Sequence, residues 1–409
     1  MSNFGSLNVL VPRSLCSVPD ETNLTVNNEG LTPIQISWEN GLVSDIRYDS
    51  HHTKPSKILF PRFVEAHAHF DKSFTWVDYP NFKSTYENAL LINLEEHITR
   101  TSNKVLKRAE DSINRAIKNG YRAIRTHVDT YISQDIAIWS ELFNLKKKYS
   151  KFVKIQFVAL APLEYWSTNH GEELARMIQR NDGIIGGVIV PPFNKKKLSN
   201  LIKTTLLLAD KYKLEVDFHI DESSQNPGLG INLLIRILKK LKIRVPITCS
   251  HLSSISLLKN YKLRNLCKEL AAKNIKVIAL PLTNFWLLNR DEFNTPLMRP
   301  VAPIKQLQNY FIDVSIGSDN VQDSWYPFGN FDPFYLMTIV LPMLQLNPWD
   351  RLAMSALCNA PARLLNLDWD GIIKEGCPAD FVVIDGICWA DVFNNDKNRY
   401  VFIKGSLYE

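Results

Sequence analysis

Two histidines separated by a single residue, His67 and His69, end an apolar run of the sequence. Side chains on a strand repeat every two residues, so this pair directs both imidazoles to the same side. A third histidine, His219, and a carboxylate, Asp319, end two other apolar runs. Three imidazoles and a carboxylate suit Zn²⁺ or Fe²⁺ and leave a position open for water. The four residues are therefore predicted to be the ligands of a hydrolytic metal site.

Other residues beside these runs are of types that move protons. Glu222 follows His219 by three residues, where its carboxyl group could carry a proton from water to a substrate nitrogen. His251 ends a further run, and a neutral imidazole there could hold the attacking water or the developing charge. His127 fits either a hydrogen-bonding role in substrate binding or a structural role.

Each of these residues also has an ordinary structural interpretation. A lone H-x-H pair is most often a surface or hydrogen-bonded pair, and Glu222 could be a surface acid at the start of a loop. The metal interpretation rests on the combination of the pair with His219 and Asp319.

Short, β-rich apolar runs place these residues in the fold. From the second run onward their ends are about 30 to 37 residues apart, which is the length of one βαβ repeat. The eight runs are residues 60–67, 121–127, 155–160, 186–190, 214–219, 247–250, 276–280 and 312–317. The first gap is about twice as long and predicts an inserted or lengthened helix, with Gly120 at its end. This spacing predicts a (β/α)₈ barrel of the TIM type, whose chemistry lies at the carboxyl ends of its strands.

Both ends of the chain differ from the repeats. Residues 6–58 and 376–409 contain short strand-like stretches separated by turn residues. The predicted fold class is α/β, a (β/α)₈ barrel with a small composite β-sandwich built from both termini. The predicted domains are residues 1–58 plus 370–409 for the sandwich and residues 59–369 for the barrel.

Composition excludes several classes of protein. The chain has 409 residues, 45% of them hydrophobic and 11% aromatic, which is incompatible with a disordered or fibrous chain. The net charge of +6 is small, and the lysine clusters at 146–148 and 195–197 are expected to be solvated surface, so no nucleic-acid partner is predicted. The six cysteines are scattered, and neither a signal peptide nor an apolar window of about 18 residues is evident. A cytoplasmic protein that does not contact membranes is predicted.

Several motifs together resemble the amidohydrolase superfamily, and most of all its bacterial cytosine deaminase branch. The motifs are residues 63–71, 125–129, 216–222, 250–252, 281–284 and 317–329, and they follow one another in order over nearly the whole chain. The resemblance implies a metal-dependent barrel with a composite β-sandwich. It also implies hydrolytic deamination of a small nitrogen-containing ring, most similar to cytosine or a related pyrimidine or triazine base.

The resemblance also implies roles for single residues. One divalent ion, zinc or iron, would be held by His67, His69, His219 and Asp319. Glu222 would be the proton shuttle, His251 would orient the attacking hydroxide, and Asp319 with His251 would accept the proton of water. Trp325 matches an aromatic residue that closes over the substrate ring.

Two departures from the cytosine deaminase pattern concern the substrate. Leu163 stands where those enzymes carry a glutamine that hydrogen-bonds the base, and Asn320 replaces an acid beside the metal ligand. An unpaired polar substrate edge at Leu163 would weigh against cytosine by about 1 kcal/mol or more. Two alternatives stay open: removal of an alkylamine from an N-substituted ring, and a metal-binding barrel without catalysis. A homo-oligomer is also compatible with the sequence.

Overall fold

The computed structural model describes residues 4–17, 25–48, 55–131 and 136–409. It contains two compact units. One comprises residues 1–64, 113–123 and 330–409, and the other comprises residues 65–112 and 124–329. The predicted domain boundaries at 58/59 and 369/370 remain a proposal.

A parallel eight-stranded sheet forms the barrel, with its strands in sequence order. The strands are β5 (Phe63–Ala68), β6 (Tyr121–Asp129), β7 (Lys154–Ala161), β8 (Ile184–Ile189), β9 (Val216–Ile220), β10 (Ile247–His251), β11 (Lys276–Ala279) and β12 (Val314–Ile316). The first and eighth strands meet where the Asp319 N–H donates to the His67 carbonyl, at 2.9 Å. The prediction of a TIM-type barrel is confirmed.

Helices follow the strands of the barrel. They are α1 (Tyr86–Thr99), α2 (Ser102–Lys118), α3 (Ile136–Tyr149), α4 (Asn169–Gln179), α5 (Lys195–Tyr212), α6 (Leu229–Leu238), α7 (Asn260–Ala272), α8 (Pro281–Leu287) and α9 (Ile304–Gln308). The long first gap of the sequence holds both α1 and α2. Gly120 follows α2 with φ of +99°, a conformation that glycine adopts without steric cost, and the chain enters β6 directly after it.

Strands from both ends of the chain form a second sheet, as predicted. These strands are β1 (Phe4–Pro12), β2 (Leu31–Glu39), β3 (Leu42–Arg47), β4 (Lys57–Pro61), β13 (Phe381–Asp385), β14 (Arg399–Ile403) and β15 (Ser406–Tyr408). Their order is β15-β14-β13-β4-β1-β2-β3, so the pairing of β4 with β13 joins the N-terminal strands to the C-terminal strands. The ring of Trp38 packs edge-on against Phe381 and Phe402 on one face of this sheet.

Further helices of the same unit are α10 (Pro333–Met343), α11 (Arg351–Met354), α12 (Ala360–Leu364) and α13 (Trp389–Val392). Within the described part of the chain, every helix is too short or too polar to span a membrane.

Candidate metal centre and active site

The strand ends bring the three predicted histidine ligands together. The Nε2 atom of His69 lies 3.2 Å from that of His67 and 3.5 Å from that of His219. Asp319 Oδ1 lies 3.2 Å from His69 Nε2 and 3.5 Å from His67 Nε2. All four side chains are buried. The predicted ligand set is therefore one compact cluster at the carboxyl ends of β5 and β9 and just beyond β12.

The chemistry of this cluster fits a divalent cation. Burial, followed by the positive fields of neighbouring groups, lowers the pKa of His67, His69 and His219 well below the usual value, so all three are neutral. Neutral imidazole nitrogens that face one another need a shared cation or proton between them, and Zn²⁺ and Fe²⁺ bind such nitrogens. Both carboxylate oxygens of Asp319 are buried, and neither has a hydrogen-bond partner among the residues that the structure describes. A cation among these atoms would satisfy them.

Two other groups of donor atoms overlap this set. One consists of His67, His251 and Asp319, and the other of His67, His127 and Asp217. The ring of His127 stacks on His67 with centroids 3.7 Å apart, and its Nε2 lies 3.6 Å from Asp217 Oδ2. The structure thus offers His/Asp groupings suited to a divalent metal.

A hydrogen-bond chain fixes the orientation of His67. Burial alone would raise the pKa of Asp217, but its contacts with His127, Arg125 and Ser250 outweigh burial and lower the pKa to about 2. The ionised carboxylate accepts the Ser250 hydroxyl proton at 2.7 Å, and Ser250 Oγ lies 3.0 Å from His67 Nδ1. Ser250 therefore accepts from Nδ1–H, which leaves the lone pair of Nε2 directed at the cluster.

Because this chain sets the tautomer of His67, we expect Ser250→Ala to weaken metal binding by about 10- to 100-fold. Competition with a chromogenic chelator measures this affinity. Ser256→Ala is the matched control, since the hydroxyl of Ser256 donates only to the Ser253 carbonyl. Unchanged affinity in Ser250→Ala would show that the tautomer is fixed by other contacts.

Glu222 lies beside His251, close to the cluster. Glu222 Oε1 is 3.3 Å from His251 Nδ1, and the Asn284 side-chain amide donates to both atoms, at 3.2 and 3.0 Å. Burial, with the negative charge of Asp319, raises the pKa of Glu222 well above the usual value, which favours the protonated carboxyl group. Burial lowers the pKa of His251 to about 4, so its ring is neutral.

The Asn284 amide also determines which nitrogen of His251 carries the proton. Since Nδ1 accepts from Asn284, the proton lies on Nε2, which is buried and has no partner among the described residues. His251 thus offers one N–H donor to a molecule bound at the site.

Trp325 lies at the mouth of the barrel and is 9% exposed. Its ring packs edge-on against Tyr86, with centroids 5.0 Å apart, in a cluster with Leu287, Ala89 and Trp286. Its Nε1–H is buried without a partner among the described residues. Trp325 is therefore available to a ring that enters this mouth.

The substrate-binding roles of three further residues stay predictions, and their surroundings are as follows. The Asn320 amide donates to Asp323 at 2.8 Å and its oxygen accepts from Thr283 at 3.4 Å, so Asn320 is held within the protein. His127 lies behind His67, as described above. Leu163 is buried and lines a cavity of about 230 Å³ beside the segment after β8, which shares Val190 and Pro192 with the cavity that Glu222 lines.

Several residues of the site were not predicted as site residues. Asn284 lies in one of the quoted motifs, within α8 and five residues beyond the end of β11, and its place in that motif was the signal available in the sequence. Tyr86 hydrogen-bonds Glu222, yet it begins helix α1 and follows no strand. Ser250 and Asp217 lie within strands beside predicted ligands, and their pairing depends on the register of β9 and β10.

A larger cavity of about 690 Å³ opens beside Glu222, and we call it the mouth cavity. It is lined by residues of α1, of the segments after β8 and β9, and of the end of α8 and the residues that follow it. Its size is typical of pockets for small organic ligands.

Comparison with known proteins agrees with this geometry. A model described as "Amidohydrolase family" matches residues 152–405. Pterin deaminase of Rhizobium rhizogenes is 25% identical over 397 residues, which cover 94% of this chain and 89% of that protein. N-isopropylammelide isopropyl amidohydrolase of a Pseudomonas species is 24% identical over 363 residues, covering 86% of this chain and 85% of that protein.

A solved structure has the same fold. The 5-methylcytosine deaminase from Klebsiella pneumoniae liganded with phosphonocytosine superposes with a TM-score of 0.82 at 20% identity, covering 98% of this chain and 97% of that chain. The resemblance found in the sequence motifs is confirmed by the family match. The chain belongs to the amidohydrolase family.

Proposed function

We propose that this chain releases ammonia by hydrolysis from the amidine group of a small nitrogen-containing ring. The chain is a metal-dependent amidohydrolase that acts on carbon–nitrogen bonds of cyclic amidines. The observation that carries the proposal is the buried Glu222 carboxyl group, which lies 3.3 Å from His251 Nδ1 and next to the cluster of His67, His69, His219 and Asp319.

The four clustered residues would hold one divalent ion, zinc or iron. That ion would lower the pKa of a water molecule and polarise the reacting carbon. Asp319 would accept a proton from the water at a carboxylate oxygen, and the His251 Nε2–H would hold the water or stabilise developing negative charge.

Glu222 would supply the proton that the ring needs. Its carboxyl group would donate to the ring nitrogen next to the attacked carbon. The resulting carboxylate would take the hydroxyl proton of the tetrahedral carbon and pass it to the leaving amine, and the proton held by Asp319 would then return to Glu222. Asn284 and Tyr86 hold this carboxyl group by hydrogen bonds, which limits the positions it can reach. Trp325 would cover one face of the ring.

The proposed ring is of the pterin or pyrimidine class. A relative aligned over 94% of this chain is a pterin deaminase, and the mouth cavity of about 690 Å³ is large enough for a bicyclic ring. Leu163 offers no hydrogen bond, so a glutamine-like contact to cytosine is not part of the proposal.

The test is product analysis with protein loaded in turn with Zn²⁺ and Fe²⁺. Pterin, cytosine and N-isopropylammelide are supplied separately, and ammonia and isopropylamine are measured. Ammonia from pterin or cytosine supports the proposal. Isopropylamine alone supports the alkylamine alternative, which the Pseudomonas relative suggests. No amine from a protein that holds its metal contradicts the proposed function.

A further inference from the structure

One wall of the mouth cavity is apolar and exposed to solvent. Helix α1 contributes Leu90, Leu91 and Leu94 to it, with exposed fractions of 40, 65 and 39%. Residues three and four positions apart share one face of a helix, so these leucines form a continuous surface, which we call the leucine shelf. Exposed leucines on a concave surface favour an apolar occupant, since burial contributes about 25 cal/mol per Å².

Apolar residues of other elements also line the cavity, together with the polar residues Ser223, Ser224, Gln225 and Asn289. Val190 and Pro191 follow β8, and Leu287 ends α8. A substrate group bound in this cavity would touch hydrocarbon of the leucine shelf and of Val190, Pro191 or Leu287. The cavity is thus a concave pocket, and not a flat apolar face of the kind that covers another protein.

Apart from Glu222, the charged residues that line the cavity are exposed and have opposite signs. Glu87 and Arg290 line the cavity and are exposed, and the Arg290 guanidinium lies over the Trp286 ring at 4.7 Å. The charges of Glu87 and Arg290 sum to zero, so together they do not favour an ionic group of either sign. The geometry therefore favours an uncharged occupant.

The pocket is continuous with the reacting end of the site. Glu222 lines the same cavity as the leucine shelf, and Tyr86 lies between them as the first residue of α1. A ring held at Glu222 has space along the shelf for a further group. A single ring would leave the shelf in contact with water.

We propose that the leucine shelf is a subsite for an uncharged alkyl or aryl substituent on the ring of the substrate. This inference rests on the proposed function and extends it from a ring to a substituted ring. KM is expected to fall about four-fold for each methylene group of the substrate that is buried against the shelf.

The experiment uses the metal-loaded full chain and a ring from which it releases amine. KM is compared between the unsubstituted ring and rings that carry an n-butyl group at each free position in turn. We expect at least one butyl isomer to have a KM ten-fold or more below that of the unsubstituted ring. If every butyl isomer has an equal or higher KM, the inference is wrong.

Variants test whether the shelf causes the gain. The ratio compared is KM of the unsubstituted ring divided by KM of the butyl-substituted ring. Leu91→Gln and Leu94→Gln are expected to reduce this ratio at least five-fold, since glutamine keeps helix propensity and removes apolar contact. Ile98→Gln is the matched control, because Ile98 lies on the same helix, is 84% exposed and is absent from the cavity lining. A gain that persists in the double variant Leu91→Gln/Leu94→Gln overturns the inference.

Two further outcomes are distinguishable. Light scattering of the same variants detects a second copy of the chain as the occupant: an oligomer that dissociates on Leu91→Gln, without a change in the KM ratio, overturns the inference. If no ring loses an amine, the proposed function has failed, and the subsite falls with it. If the unsubstituted ring reacts and butyl groups bring no gain, only the subsite is wrong.

Discussion

Glu222→Gln is expected to lower kcat for amine release by about 10³-fold, within the 10²- to 10⁴-fold range of general acid–base catalysis. Glu222 is buried, and its raised pKa favours the protonated form of the carboxyl group. Glutamine has the same shape and can still accept the hydrogen bond from Asn284, but it cannot release a proton. Amine release measures the loss, and metal analysis of the same sample is expected to show unchanged occupancy.

Glu164→Gln is the matched control for this variant. Glu164 lies three residues beyond the end of β7, pairs with Lys197 at 2.7 Å and has a side chain that is 54% exposed. We expect its replacement to change kcat less than three-fold. If Glu222→Gln keeps more than a tenth of the activity, another group supplies the proton. If Glu222→Gln retains its metal but loses turnover, the chain is an enzyme and not a metal-binding barrel without catalysis.

His219→Ala is expected to abolish stable metal binding and, with it, amine release. The substitution removes one of three neutral imidazoles in a buried cluster, which is a larger change than the loss of a hydrogen bond behind a ligand. The loss of affinity should therefore exceed the 10- to 100-fold expected of Ser250→Ala. Metal content after gel filtration and chelator competition measure it.

Thermal unfolding gives an independent measure of the same loss. A ligand that binds only the folded state raises the unfolding temperature, so a chelator should lower Tm in the natural protein and leave Tm of His219→Ala unchanged. His170→Ala is the control, because the His170 side chain is 58% exposed on α4. Full occupancy and unchanged affinity in His219→Ala would assign the metal to another grouping, such as that of His67, His127 and Asp217.

The barrel and the convergence of the predicted ligands could be inferred from the sequence because both depend on local periodicities. Runs of apolar residues at the spacing of βαβ units predict parallel strands, and the period of two directs His67 and His69 to one side. In a barrel the carboxyl ends of all strands meet at one face. Residues far apart in the chain, such as His67 and His219, are therefore close neighbours.

The second sheet was predictable for a related reason. Strand-like stretches at both ends of the chain, outside the repeats, need a common sheet to satisfy their backbone groups. The pairing of β4 with β13 supplies it. The limits of the compact units depend on contacts between elements, and the sequence does not contain a signal at residue 330.

Only the tertiary structure decided which side chains support the cluster. The contact of Ser250 with Asp217 and His67 depends on how β9 and β10 align and how the side chains fill the barrel. Tyr86 reaches Glu222 from a helix, and no periodicity of α1 indicates where that helix lies over the barrel. Leu163 follows a strand yet lines a different cavity, since the direction of a loop residue is not fixed by the strand before it. Local patterns thus indicated the candidate ligands and the strand ends. The hydrogen bonds that orient these ligands and the shape of the mouth cavity come from packing between distant segments.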